Sequence, residues 1–314
     1  MPCSWIPKAT GWVCTEKGKI AQDLRAAACG TFPFFLFLLH DRIETTMIQT
    51  ARPSVFLAPF VKSYWMIESR MATGQVHVQR IVPTGLIELS FYLADRPRPS
   101  GPIQSLPDHS VLTGQMNRFF DLHISGSLTL FSIYFYPHGL APFVDLSLAE
   151  LHNQAVPVKY LLGGEGKELE DKLASAGSFQ KRVALAENFL RQRLTRQKEN
   201  PDESRITHSI RLINESKGQI NIDRLASQAC LSRKQFERIF LKHVGLSPKQ
   251  FLKTVRFQNA LRLKATRQNC SLTELAYDCG YYDQAHMILE FTRLSGKTPG
   301  SYFLDGQPHS DYFQ

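Results

Sequence analysis

The stretch LTELAYDCGYYDQAHMILEF, Leu272 to Phe291, reads as two short helices joined by a glycine-containing turn. About fifty residues earlier the chain repeats the pattern in IDRLASQACLSRKQFERIF, Ile222 to Phe240. Leu225-Ala226 matches Leu275-Ala276 at an offset of fifty, whereas Phe240, Gly245 and Pro248 match Phe291, Gly296 and Pro299 at fifty-one. One residue has therefore been added inside the second turn, CGYY against CLS. Each unit reads helix, tight turn, helix, then a glycine that ends the second helix.

Cap signals support that reading. Ser271 with Glu274 and Ser232 with Gln235 have the spacing of a capping box, and Asp283 is the matching cap for the last helix. GLSPKQF places Ser247 at a cap and Pro248 at the first helical position. The long helix that follows offers Phe251, Leu252, Val255, Leu261 and Leu263 as apolar residues that can rest on both units.

A helix-turn-helix presents its second helix to the major groove, and two such units on a rigid helix can address successive turns of DNA. With Phe236, Ile239 and Phe240 inward, Arg233, Lys234, Glu237 and Arg238 lie outward. Arg reads guanine by paired bonds, Lys meets guanine or phosphate, and Glu accepts from cytosine. A solvated charged face is the commonest alternative for such residues; the tandem arrangement and a local basic excess favour DNA. In the second copy Met287 aligns with Phe236 and Phe291 with Phe240, so the core is kept. Its outward surface becomes Gln284, Ala285, His286, Ile288 and Leu289. The first unit is expected to carry most base discrimination and the second mainly to anchor.

Bulk properties bound the rest. The 314 residues suffice for two domains, with 43% hydrophobic and 11% aromatic residues and a net charge of +9. Of 37 Lys/Arg and 28 Asp/Glu, 16 and 9 fall between Glu203 and Asp305, so +7 of the charge sits in the C-terminal third. Such a patch points to an anionic partner. The six cysteines show no CxxC pair, which suits a reducing, cytoplasmic setting; Cys230 and Cys279 read as buried small apolar residues at equivalent helix ends. FPFFLFLLH, Phe32 to His40, is too short to span a bilayer as a helix. Residues 1–46 read as an extension that carries no fold, with the natural start at Met47 and no membrane partner.

From Pro53 to about Val158 the text favours strands. VHVQRIVPTGLIELSFYL, Val76 to Leu93, gives two β-rich runs divided by Pro83, Thr84 and Gly85, and LTLFSIYFYP, Leu128 to Pro137, gives a third. RPRPSGPIQSLP, Arg96 to Pro107, reads as a loop without regular structure. Between Glu165 and Arg196 the spacing of Val183, Ala186, Leu190 and Leu194 is helical, and KENPDES, Lys198 to Ser204, reads as a linker. The expected fold class is α+β: a β-rich barrel or sandwich over 47–160, a helical linker over 161–202, a double helix-turn-helix domain over 203–305, and a tail over 306–314.

At the repeat, the chain resembles the AraC-type family of bacterial transcriptional regulators. The resemblance covers about Arg205 to Phe303 and rests on LTELAYDCGYYDQAHMILEFTRLSGKTP, the paired Leu-Ala steps, RIF at Arg238 to Phe240, and GLSPKQF at Gly245 to Phe251. It implies groove contacts from positions matching Lys234, Glu237 and Arg238 in the first recognition helix, and Gln284, Ala285, His286, Ile288 and Leu289 in the second. The last position is often arginine in relatives; here it is leucine. FLAPFVKSYWMIES, IVPTGLIELSFYL, LTGQM and FYPHGLAPFVDLS resemble the small β-rich sensor domain found ahead of some such regulators. The implied partners are double-stranded promoter DNA and a small-molecule effector, with RNA polymerase and a second copy of the chain as further candidates.

A barrel mouth is a common ligand site. The polar residues set in or beside the strands are His77, Arg80, Glu88, Gln115, Arg118 and His123, of which Arg80, Glu88, Gln115 and Arg118 are the effector candidates. Arg80 and Arg118 can clamp a carboxylate. His77, His123 and Glu88 would be the ligands of a metal-dependent, cupin-like enzyme tethered to DNA, but they lack HxH or other tight metal spacing. No GxSxG, Walker loop or GxGxxG stands in a fitting context, so no catalytic residue, metal or cofactor is assigned; LGGEG, Leu162 to Gly166, reads as a loop before a helix. A DNA-repair adaptor with a reactive cysteine would need a low-pKa thiol.

Overall fold

The computed structural model describes residues 5–8, 11–14, 43–196, 200–267 and 269–305, with side chains over 47–304 of these. The apolar run Phe32 to His40 and the tail over 306–314 lie outside the described residues. The N-terminal half is a β sandwich, and the C-terminal part is helical. Strands β1 (Trp5–Lys8), β2 (Gly11–Cys14), β3 (Ile43–Ala51), β4 (Val61–Met71), β6 (Ile87–Tyr92), β8 (Ser110–Thr113), β10 (Ser127–Phe135) and β11 (Ala155–Pro157) form one antiparallel sheet in the order β1-β2-β3-β4-β10-β6-β8-β11. Strands β5 (His77–Ile81), β7 (Arg98–Ser100) and β9 (Phe120–Ile124) form a second, in the order β5-β9-β7.

Side-chain alternation explains why the central strands of the large sheet are apolar almost throughout. On one face Trp65, Ile67, Leu128 and Leu130 meet Phe120, Leu122 and Ile124 of the small sheet. On the other, Tyr64, Met66, Phe131, Ile133 and Phe135 pack against two helices, α1 (Val158–Ser175) and α2 (Phe179–Leu194), through Leu169, Leu173, Phe179 and Leu190. The segment read as a helical linker is thus the third layer of the β domain. LGGEG lies inside α1 and not in a loop before it; Gly163, at φ 59°, kinks the helix there.

Three boundaries differ from expectation. The segment over 1–46 contains β1 and β2, and β3 starts at Ile43, so Met47 falls inside a strand. β-branched Ile43, Thr45, Thr46, Ile48 and Thr50 supply its propensity. The Arg96–Pro107 loop contains β7, in which Pro99 pairs with Leu122; β7 is an edge strand, where a missing N–H is tolerated. The polar linker ends at Asn200, whose side chain accepts from the Asp202 N–H. Pro201 follows at the first helical position, with Asp202 and Glu203 in the first turn of α3 (Pro201–Glu215).

The helical part continues with α4 (Ile222–Gln228), α5 (Arg233–Val244), α6 (Pro248–Thr266), α7 (Leu272–Asp278), α8 (Gln284–Ser295) and α9 (Pro299–Asp305). All the expected caps form: Ser232, Ser247 and Ser271 make capping boxes, Asp283 accepts from the His286 N–H, and Gly245 and Gly296 close α5 and α8 at φ 86° and 74°. The long α6 joins the units. Phe251, Leu252 and Val255 enter the core of the first, where Phe240 meets Phe251 at 5.7 Å. Phe257 and Leu261 enter that of the second, where Phe257 meets Phe291 at 4.8 Å.

Candidate nucleic-acid interface

The two turns differ in a way that fixes what faces outward. Leu231 N–H bonds the Ala226 carbonyl, and Tyr281 N–H bonds that of Ala276. Cys230, at φ 55°, is thus the counterpart of Gly280, at φ 72°, and the added residue of the second turn is Tyr282. This corrects the expectation for the cysteines: Cys279 is buried, but Cys230 is exposed at a left-handed position. Burial pushes the Cys279 thiol up to about 12, the opposite of a reactive thiolate.

On α5, Phe236, Ile239, Phe240 and Val244 are buried, while Arg233, Lys234, Gln235, Arg238 and Lys242 are exposed. Arg233 is held by two carboxylates, Asp223 of α4 at 3.2 Å and Glu237 at 3.1 Å. Lys234 and Arg238 make no ion pair among the described residues, which leaves their charges for an external anion.

On α8 the outward residues are Ala285, Arg293 and Leu289, the last 72% exposed. Gln284 accepts from the Thr273 hydroxyl at 2.6 Å and Ile288 is half-buried. His286 is half-exposed, and its ring is held along the helix. Its ring packs edge-on against Tyr281, Nδ1 accepts from the Tyr282 N–H, and Nε2 therefore donates to Glu290 at 3.2 Å. Two residues not expected from the sequence, Tyr277 and Tyr282, flank this face at 62% and 86% exposure.

Beneath α8 lies a charge network not anticipated from the sequence. Glu290 is 6% exposed and meets Lys253 at 2.5 Å, Arg256 at 3.3 Å and His286. Burial alone pushes its carboxyl up, but the Lys253 hydrogen bond and the surrounding cations outweigh it and hold the group below the usual range. The signal was available: at the fifty-one offset Glu290 aligns with buried Ile239. A carboxylate at a core position demands counter-ions, and α6 supplies two one turn apart.

The β domain touches the ends of both recognition helices and leaves their outer faces open. A Cβ on Gly245 would stand 2.8 Å from the Leu148 carbonyl oxygen, and one on Gly296 would stand 2.4 Å from the Phe119 ring. Arg80 binds Asp121 through two bonds of 2.8 Å, lies over Phe119 at 4.1 Å, and donates to the Ser295 carbonyl at the end of α8. The loop between β5 and β6 supplies Leu86 to the core of the first unit and Val82 to that of the second, and the Pro83 carbonyl accepts from Gln258 of α6.

These contacts redistribute the effector candidates. Arg80 serves the domain junction; Gln115 donates to the Gly85 carbonyl behind the same loop; Arg118 is exposed; Glu88 alone of the four lines the cavity of about 80 Å³ between the sheets. Arg80 and Arg118 therefore form no clamp there. His77 faces Ile124 and His123 faces Val78 across one ladder, which sends the two imidazoles to opposite faces. No three His, Cys, Asp or Glu side chains among the described residues come together as a metal set, and no helix among them is long and apolar enough to cross a membrane.

Comparison with known proteins agrees with this division. A helix-turn-helix domain family matches residues 225–304, and a domain of unknown function (DUF6597) matches residues 49–157. Residues 225–304 are an AraC-type helix-turn-helix domain. An uncharacterized HTH-type transcriptional regulator of Haemophilus influenzae is 34% identical over 96 residues, 31% of this chain and 32% of its own. The HTH-type transcriptional regulator MtrA of Neisseria gonorrhoeae is 35% identical over 106 residues, 33% and 35% of the two chains. The matched segments thus span about a third of the length of these relatives. The DNA-binding domain of AdpA, solved in complex with a target DNA, is 31% identical over 31% of this chain and 87% of that one, with a TM-score of 0.30.

Proposed function

We propose that this chain is a non-enzymatic, cytoplasmic transcription regulator that binds promoter DNA through both helix-turn-helix units. The carrying observation is the pair of capped recognition helices whose outer faces remain open while their C-terminal ends rest on the β domain. Lys234, Glu237 and Arg238 read the bases. Gln284, Ala285, Ile288 and Leu289 anchor the second unit by amide and apolar contacts, while Arg233 and His286 mainly order the two helices. The β domain is the effector-sensing part.

A gel-shift titration on the gene's own upstream region tests the reading. With about 6–10 phosphates neutralised, affinity falls roughly 10³- to 10⁵-fold between about 50 and 200 mM salt, and an unrelated duplex of equal length binds far more weakly. Equal affinity for both duplexes overturns it.

A further inference from the structure

We infer that the second helix-turn-helix unit reads the C5-methyl groups of thymine in the major groove, through a stripe of Ala285, Ile288 and Leu289 on α8. The inference rests on the regulator reading and deepens it: the first unit selects by charge and hydrogen bonds, and the second adds a preference that an apolar surface can make.

The two recognition helices hold the same phase. α5 and α8 are each 12 residues long, start at a side-chain cap (Ser232 and Asp283) and end at a left-handed glycine (Gly245 and Gly296). Phe236 and Phe240 are buried on one, Met287 and Phe291 on the other, at the common offset of fifty-one. The positions that α5 turns outward are therefore those that α8 turns outward. At that offset Lys234, Glu237 and Arg238 correspond to Ala285, Ile288 and Leu289. All three charged positions have become apolar, and their spacing of three and four residues puts them in one stripe. Ala285 and Leu289 are exposed and Ile288 is half-buried.

The neighbouring polar groups are engaged within the protein. Gln284 accepts from the Thr273 hydroxyl, and the two ring nitrogens of His286 meet the Tyr282 N–H and Glu290. Among the major-groove edges of the four base pairs, the distinctive apolar group is the thymine methyl. A guanine or adenine edge set against the stripe would lose water without gaining a hydrogen bond, whereas a methyl gains on burial. A protein partner would also cover an apolar stripe. This one, however, occupies the positions of the base-reading residues of the sister unit. It is flanked by exposed Tyr277 and Tyr282, whose hydroxyls are of the kind that bonds phosphate.

Selection of the full chain on a randomised duplex pool supplies the site, and gel shifts with thymine changed to deoxyuridine, which removes only the methyl, test the inference. The second half-site is the one whose phosphate contacts Lys234→Ala leaves unchanged. A buried methyl contributes roughly fourfold in affinity, so uracil at the contacted thymines is expected to weaken binding roughly four- to tenfold. Uracil in the first half-site is expected to cost less than about twofold. With cytosine at a contacted thymine position, 5-methylcytosine is expected to recover about threefold or more, because it restores the methyl without restoring the A·T pair. Leu289→Ala is expected to shrink the uracil effect below about twofold and Leu289→Met to retain it, both with the circular dichroism spectrum and melt of the parent. An enriched second half-site without thymine, or an equal uracil effect in the two half-sites, overturns the inference alone. So does a uracil effect below about twofold in the second half-site, which leaves the stripe to a protein partner. A chain that enriches no sequence overturns the regulator reading and this inference together.

Discussion

Glu290→Ile, which gives the second unit the residue its first copy carries at Ile239, is expected to destabilise the protein by about 3–5 kcal/mol. The variant leaves Lys253 and Arg256, half-buried against α8, without their carboxylate. In a thermal melt of the full chain this corresponds to a loss of roughly 10 °C in the transition that includes the helical domain. The triple variant Glu290→Ile, Lys253→Met, Arg256→Leu is expected to recover most of that loss, because replacing a whole buried ionic group with apolar residues is often neutral. The same network gives a pH dependence of known sign. The folded-state pKa of Glu290 lies below its ordinary value, so its contribution is fully present above the ordinary carboxylate pKa and is lost as pH falls through the depressed one. A melt of Glu290→Ile that matches the parent, or a parent stability that rises on acidification through this range, contradicts the assignment.

Arg238→Ala is expected to weaken specific DNA binding by about 1–3 kcal/mol, or roughly 5- to 150-fold, and to relax preference at one or two base pairs. Its side chain is exposed on the open face of α5, with no ion pair among the described residues to satisfy its charge. Gln284→Ala is expected to lower affinity by a smaller factor that is the same for every sequence, because its amide is already held by Thr273 and its neighbours Ala285 and Leu289 are apolar. Selection from a randomised duplex pool distinguishes the two. Broadened specificity in Gln284→Ala together with unchanged specificity in Arg238→Ala reverses the roles of the units.

The parts of the fold legible in the sequence were those written in local patterns. The repeat at offsets of fifty and fifty-one located both units, and the Ser-x-x-Gln and Ser-x-x-Glu boxes located their helix starts. The dense β-branched and aromatic run in Leu128 to Pro137 located β10. What escaped depends on partners far along the chain. Nothing near Arg80 shows that Asp121 and the end of α8 will engage it, so it read as a ligand clamp. Pro99 read as a breaker because edge position is a property of the sheet. His286 reads as outward from helical phase, and its ring stays half-exposed, but phase alone does not show that Tyr281 and Glu290 hold it. Glu290 escaped although its signal is local to the repeat: its mismatch with Ile239 stands in the alignment of the two copies and demands counter-ions.

Everything proposed for DNA binding requires that α5 and α8 of one chain address successive turns of a duplex on a single face. Ethylation-interference footprinting of the full chain on its preferred duplex reads this out directly. Two clusters of phosphate contacts are expected on one face, about 10.5 base pairs apart, with the first cluster alone perturbed by Lys234→Ala. A single cluster, or two clusters on opposite faces of the helix, would show that the two recognition helices do not share a face of the duplex.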